Sequence, residues 1–315
     1  MPNELMAALT AARRARIGSA QSPHSQPAQQ SQLPAAPPAT MAALCMLLGD
    51  GITDDTLLNV ARFLGAKELL NLQLTNKRFT TKVIAAPSVG GVPERLSVVE
   101  EAARRWVASC SDQERGWVPR RGHESWLGLV HEVEVLQLPL AFARAHADIT
   151  LSEDGAVATR GDQGEFRAAK SRGAMRSGRH FAQFTVLKGH ILFFGAILPR
   201  WDVQGVRAGR PQYGGMLHCF YSTRDGGRYP SGYKWKGMQE AKEEGDRIGM
   251  LLDLDQGCMT IYKNDVLLGV MQSEGLTGPF CWCVSTFRGT SARIESGPLP
   301  DPPPDPPLPS PLLMQ

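Results

Sequence analysis

Residues 245–269 read GDRIGMLLDLDQGCMTIYKNDVLLG, and their alternation decides the fold of the larger part of the chain. Ile248, Met250 and Leu252 recur at every second position, which puts them on one face of an extended strand. Met259 and Ile261, then Val266, Leu268 and Val270, continue that period across two short breaks. Asp255-Gln256-Gly257 reads as a three-residue hairpin loop ending in glycine, which adopts left-handed backbone at little cost. Asn264-Asp265 reads as a two-residue loop. Such a loop needs positive φ at both positions, and Asn and Asp tolerate it better than most residues.

The same grammar extends in both directions. Residues 149–151 and 156–159 are short strand candidates around the turn Glu153-Asp154-Gly155. Longer candidates follow at 180–187, 191–198, 217–223 and 247–254, with 281–285 and 291–295 closing the series. The run ILFFGAIL at 191–198 is almost continuously apolar, as expected for a strand covered on both faces. Many short strands separated by polar turns predict an antiparallel sandwich or barrel.

Four blocks in this region resemble the SPRY family. They are Ser177-Gly178-Arg179-His180-Phe181, Phe194-Gly195-Ala196, the whole of 245–269, and the late strand at 279–285. Asp265 stands where the family usually has glycine. The resemblance covers about half of the chain. It implies a protein-binding sandwich that grips short peptide segments with the loops at one end. The matching loops would be 188–190, 199–215, 232–237 and 287–290. They carry Lys188, Arg200, Trp201, Tyr213, Tyr233, Trp235, Phe287 and Arg288, with Arg207 and Arg210 adding charge. Trp, Tyr and Arg dominate binding hot spots because they join a large apolar area to a hydrogen-bonding tip. The alternative for each aromatic is a place capping the core.

Upstream the period is helical. Leu57, Leu58, Ala61 and Leu64 share a face of a helix that Thr53 or Asp54 would cap and Gly65 would close. A second helix is expected from about 67 to 74. Its Leu69, Leu70, Leu72 and Leu74 are dense enough to suggest burial throughout. Asn76 would cap a third piece running to Val83. Residues 52–79, ITDDTLLNVARFLGAKELLNLQLTNKRF, resemble an F-box. The matching features are Asp54-Asp55, Leu57-Leu58, Phe63-Leu64, Glu68-Leu69-Leu70 and Lys77-Arg78-Phe79, with Thr53 where proline is usual. That resemblance implies docking on a Skp-type adaptor of a cullin–RING ubiquitin ligase through Leu57, Leu58, Phe63, Leu64, Leu69 and Leu70.

Two amphipathic helices are expected next. One carries Val98, Val99, Ala102, Ala103, Trp106 and Cys110 on a face, and the other Trp126, Leu129, Val130, Val133 and Leu136. Residues 111–122 between them read as a loop, and Glu132 and Glu134 as a solvated face. The predicted organisation is therefore a low-complexity tail at 1–41, the F-box-like helices at 42–85, a helical spacer at 86–144, a mainly β SPRY-type sandwich at 145–297, and a Pro-rich tail at 298–315.

Composition bounds the function. Net charge is +3 with no basic run interleaved with aromatics, so a nucleic-acid partner is not expected. No stretch of ~18 apolar residues exists to span a membrane. The six cysteines, Cys45, Cys110, Cys219, Cys258, Cys281 and Cys283, include no Cys-x-x-Cys pair. A reducing compartment, cytosol or nucleus, is expected. Arg13, Arg14 and Arg16, with Glu4 the sole acid before Asp50, leave an organelle transit peptide as the alternative for the tail. No P-loop, nucleophile elbow or zinc-protease motif appears. Asp253 and Asp255 read as turn chemistry, Cys281 and Cys283 as packing, and His180 as a structural hydrogen-bonding group. The expectation is a protein-binding adaptor, not an enzyme, with no cofactor or metal. A binding protein unrelated to ubiquitin is the alternative.

Overall fold

The computed structural model describes residues 53–61, 64–75, 77–82, 84–86, 94–122, 124–205, 218–230 and 234–300. Phe63, Tyr213 and Tyr233 lie outside them, as do the two tails apart from residues 298–300. The chain divides into two units between Pro139 and Leu140.

In the first unit, α1 (Asp54–Ala61) and α2 (Ala66–Thr75) precede a 3-10 turn at Lys77–Phe79. A small ribbon follows, β1 (Ile84–Ala86) paired antiparallel with β2 (Glu94–Leu96). Then come α3 (Val98–Ala108), α4 (Asp112–Trp117) and α5 (Trp126–Gln137). The unit has its own core: Leu57, Leu58, Leu64, Leu69 and Leu72 from the first two helices pack with Val99, Ala103 and Trp106 of α3 and Leu129, Val130 and Val133 of α5. Carboxylates tie the helix ends. Glu100 accepts from the Ser125 hydroxyl and the Trp126 amide, both at 2.7 Å, and Glu134 accepts from the Ala66 amide at 3.2 Å. Such bonds satisfy amides that a helix N-terminus leaves without intrahelical partners.

Four expectations for this unit need correction. Within the third helical piece expected from Asn76 to Val83, both of which lie outside the described residues, residues 77–82 hold one 3-10 turn at Lys77–Phe79. The stretch expected as a loop at 111–122 holds α4, built on a capping box in which Ser111 and Glu114 satisfy each other's amides. Glu134 is a cap for α2, not a solvated carboxylate. Finally, α2 is not buried throughout: Leu69 and Leu72 are enclosed, whereas Leu70 is 47% and Leu74 77% exposed.

The second unit is a sandwich of two antiparallel sheets. One has six strands in the order β10-β9-β8-β14-β6-β3, the other seven in the order β13-β12-β11-β7-β15-β5-β4. The strands are β3 (Phe142–Ala145), β4 (Ile149–Ser152), β5 (Val157–Arg160), β6 (Arg167–Ser171), β7 (Arg179–Lys188), β8 (Leu192–Ile197), β9 (His218–Ser222), β10 (Arg228–Tyr229), β11 (Arg247–Asp253), β12 (Cys258–Lys263), β13 (Val266–Gln272), β14 (Cys281–Thr286) and β15 (Ser291–Glu295). Strands β3, β6 and β10 lie outside the strand candidates of the sequence. Between the sheets, Phe184 of β7 stacks on Phe194 of β8 at 4.8 Å and meets Trp282 of β14 edge-on at 6.2 Å.

The two hairpins differ from each other. Asn264 and Asp265 have φ of 50° and 68° and join β12 to β13 in two residues, as expected. The preceding loop has four residues, 254–257, because Asp253 pairs with Cys258; Gly257 still takes the left-handed position with φ 71°. Strand β13 is a sheet edge, and its Val266, Leu267 and Val270 are exposed instead of continuing the buried face.

The six-stranded sheet carries a second apolar layer on its outer face. Phe193, Ile197, Phe220, Cys283 and Ala168 gather there with Val203, and Trp201, Phe166 and Tyr229 pack against them. Residues 199–205 run over this face. The buried Lys170 holds them down by donating to the Pro199 carbonyl at 2.6 Å and the Trp201 carbonyl at 2.7 Å. Consequently every residue of β8 and β14 is buried. Gly195 sits where a Cβ would fall 2.0 Å from the Cys219 carbonyl oxygen, so only glycine lets β8 and β9 approach.

Candidate functional site at one end of the sandwich

Four connections meet where β7 passes into β8: residues 161–166, 189–191, 223–227 and 287–290. Hydrogen bonds lock them together. The Thr223 hydroxyl donates to the His190 carbonyl at 2.7 Å and accepts from the Leu192 amide at 3.0 Å. The Phe287 amide donates to the Ile191 carbonyl at 3.3 Å, and the Gly289 amide to the Gly161 carbonyl at 3.0 Å. Gly189, with φ 73°, lies so close to Thr290 that a Cβ would come within 2.9 Å of its methyl. This end is thus preformed by hydrogen bonds between its loops, which favours binding without an ordering cost.

Two features mark the surface there. The first is a row of rings, Tyr229 to Phe193 at 5.0 Å, Phe193 to Phe166 at 5.4 Å, and Phe166 to Phe287 at 4.8 Å. Arg288 ends it, with its guanidinium carbon 5.2 Å from the centre of the Phe287 ring. The second is an open cleft of about 620 Å³ lined by His190, Arg224, Asp225, Tyr229 and Lys242. Asp225 is engaged internally, accepting from the Gly227 amide at 2.9 Å and the Tyr229 hydroxyl at 3.4 Å. Burial, with Asp225 alongside, pushes the Tyr229 phenol above its ordinary range, so it stays protonated. Lys242 is paired with Glu240.

The expected ligand residues divide. Lys188, Phe287 and Arg288 come together at this end, since Lys188 pairs in register with Ser291. Lys188 and Arg288 are exposed, and Phe287 is half-buried against Phe166. Arg200 and Trp201 leave β8 at its opposite end. Trp201 belongs to the cover over the outer face, a packing role, while Arg200 is exposed. Trp235 is half-buried and donates from its indole nitrogen to the Gly226 carbonyl at 2.8 Å, so it braces the 223–227 turn. No sequence motif marks Arg224, Tyr229 or Lys242 as binding residues, and Asp225 reads only as part of a turn. The turn signal Asp225-Gly226-Gly227 was visible, but nothing local says that Lys242 lies beside it.

The remaining chemical candidates are structural. Asp253 accepts from the Asp255 and Gln256 amides at 3.0 and 2.9 Å, and Asp255 from the Gly178 amide and the Ser177 hydroxyl, both at 2.9 Å. Burial pushes the Cys281 thiol up to about 11 and the Cys283 thiol higher still, so neither is a ready nucleophile. Burial lowers His180 to about 4, and its Nε2 lies 2.8 Å from the Ser177 carbonyl. Among the described residues no group of three or more His, Cys, Asp or Glu is placed to hold a metal ion. No described helix is long and apolar enough to cross a membrane.

No family model matches the chain, and no curated protein matches it. Solved structures similar to it include the SPRY domain of human HERC1, at 17% identity and a TM-score of 0.42, aligned over 51% of this chain and 99% of that one. The PSpry domain of TRIM65 aligns at 16% identity and a TM-score of 0.37, over 51% of this chain and 95% of that one. A human SPRY domain aligns at 16% identity and a TM-score of 0.37, over 47% of this chain and 94% of that one.

Proposed function

We propose that the sandwich is a SPRY-type protein-binding module, that it holds a segment of a partner protein across the loop end, and that the chain works as a recruiter and not as an enzyme. The observation that carries this reading is the convergence of four mutually bonded loops presenting Lys188, Phe287, Arg288 and the adjoining cleft on one rigid end. Its test is affinity capture from cell extract with the full chain, set against a chain carrying Phe287→Ala and Arg288→Glu. Loss of a discrete set of captured proteins in the variant is expected. An identical set from both chains would remove the loop end as the binding surface.

The first unit supplies the second half of the reading, recruitment of a Skp-type adaptor and a cullin in the cytosol or nucleus. Rate enhancement would then come from proximity of the held target to the transferred ubiquitin. Leu57, Leu58, Leu64 and Leu69 are enclosed in the unit's own core and so serve the docking helices from within. The exposed Leu70 and Leu74, one turn apart on α2, are the residues assigned to the contact itself. Leu70→Glu should abolish co-precipitation of a Skp-type adaptor while leaving the melting temperature unchanged. The burial of four of the six expected docking residues favours a second reading, in which these helices are structural support and the module acts outside ubiquitin transfer. Absence of any Skp-type protein from the capture would select it.

A further inference from the structure

We infer that the cleft beside the loops selects an acidic segment of its protein partner, with Arg224 as the main contact; this rests on the loop end being the binding surface. The cleft is bordered by three groups able to carry positive charge, His190, Arg224 and Lys242, and by a single carboxylate. That carboxylate, Asp225, is exposed and accepts from the Gly227 amide and the Tyr229 hydroxyl within its own turn. Arg224 is exposed and has no hydrogen bond or ion pair among the described residues. It is therefore a cation at the edge of a cleft with its donors uncommitted. Lys188, two residues before His190, is likewise exposed and unpaired among the described residues, and Arg288 lies on the adjoining loop. Exposed acids stand at Asp162 and Glu165 on the 161–166 loop and at Glu240, Glu243 and Glu244 around Lys242, and Glu240 pairs with Lys242.

An arginine fork at a concave edge suits a carboxylate because it offers parallel donors in fixed geometry. Tyr229 adds a half-buried ring to the same wall, so the segment that fits has carboxylates flanking an apolar or aromatic residue.

The experiment is selection from a random dodecapeptide phage library on the immobilised full chain, repeated with Arg224→Glu and with Arg224→Glu plus Lys242→Glu. The intact chain should enrich Asp and Glu. Synthetic versions of the selected peptides should bind about tenfold more weakly to Arg224→Glu, the loss expected for a charge-assisted contact. The double variant should shift enrichment toward Lys and Arg, an outcome that a misfolded protein does not produce. Peptides selected without acidic enrichment, or acidic peptides bound equally by Arg224→Glu, would overturn the inference while leaving the loop end as a binding surface. Selected peptides indifferent to Phe287→Ala and Arg288→Glu as well as to Arg224→Glu would instead overturn the underlying reading.

Discussion

The helical unit and the sandwich bury similar residue types by different rules. In strand β7 of the sandwich a residue's depth follows its parity, so His180, Ala182, Phe184 and Val186 are enclosed as a set. In α2 depth follows a period of 3.6, so adjacent leucines part company: Leu69 is fully buried and Leu70 is 47% exposed. Dense leucine content is therefore not a measure of burial. The position of each residue in its element's period decides whether it is core or surface.

Five measurements sharpen or break this contrast. The largest effect is expected from Trp282→Ala, which opens a cavity beside Phe184 between the sheets; urea denaturation should read a loss of about 4 kcal/mol. Leu69→Ala should cost about 3 kcal/mol in the same assay, because the side chain is wholly enclosed in the helical core. His180 gives a pH signature. Burial lowers it from 6.5 to about 4, so its stabilisation is complete above pH 6.5 and is lost as pH falls toward 4. Denaturation at pH 7 and pH 4 should differ by about 3 kcal/mol from this group, and His180→Gln should flatten that part of the profile. Ser111→Ala removes one side of the α4 capping box and should cost about 1 kcal/mol, seen as faster amide exchange at 112–115. Leu70→Ala should change stability by less than about 0.5 kcal/mol. Equal losses at Leu69 and Leu70 would remove the period argument for α2.

The legible parts of the sequence were those where local chemistry forces the backbone. Asn264-Asp265 fixed its turn, and the alternation on either side fixed the strands. Strand β6 was hidden because its Arg-Ala-Ala-Lys-Ser sequence buries two alanines, a lysine and a serine, none of which marks a strand by type. Helix α4 was hidden because six residues containing Gly116 carry no periodicity, and only its capping box announces it. Trp201 looked like a binding residue because a loop tryptophan and a covering tryptophan have the same local sequence. What separates them is Lys170, 31 positions earlier. The cleft was illegible for the same reason: His190, Arg224 and Lys242 are joined only by topology.

The double burial of β8 and β14 has a consequence for how this molecule can change over time. A strand covered on both faces has no residue whose volume can change without disturbing a neighbour, so single substitutions there are confined to side chains of similar size and polarity. The loop end is different: its frame is held by main-chain bonds together with the Thr223 hydroxyl and the Trp235 indole, and none of these bonds uses Lys188, Arg224 or Arg288. Lys188, Arg224 and Arg288 are therefore free to drift while the scaffold stays fixed. The architecture separates a slow-changing frame from a fast-changing surface, which allows a new partner to be acquired without a new fold.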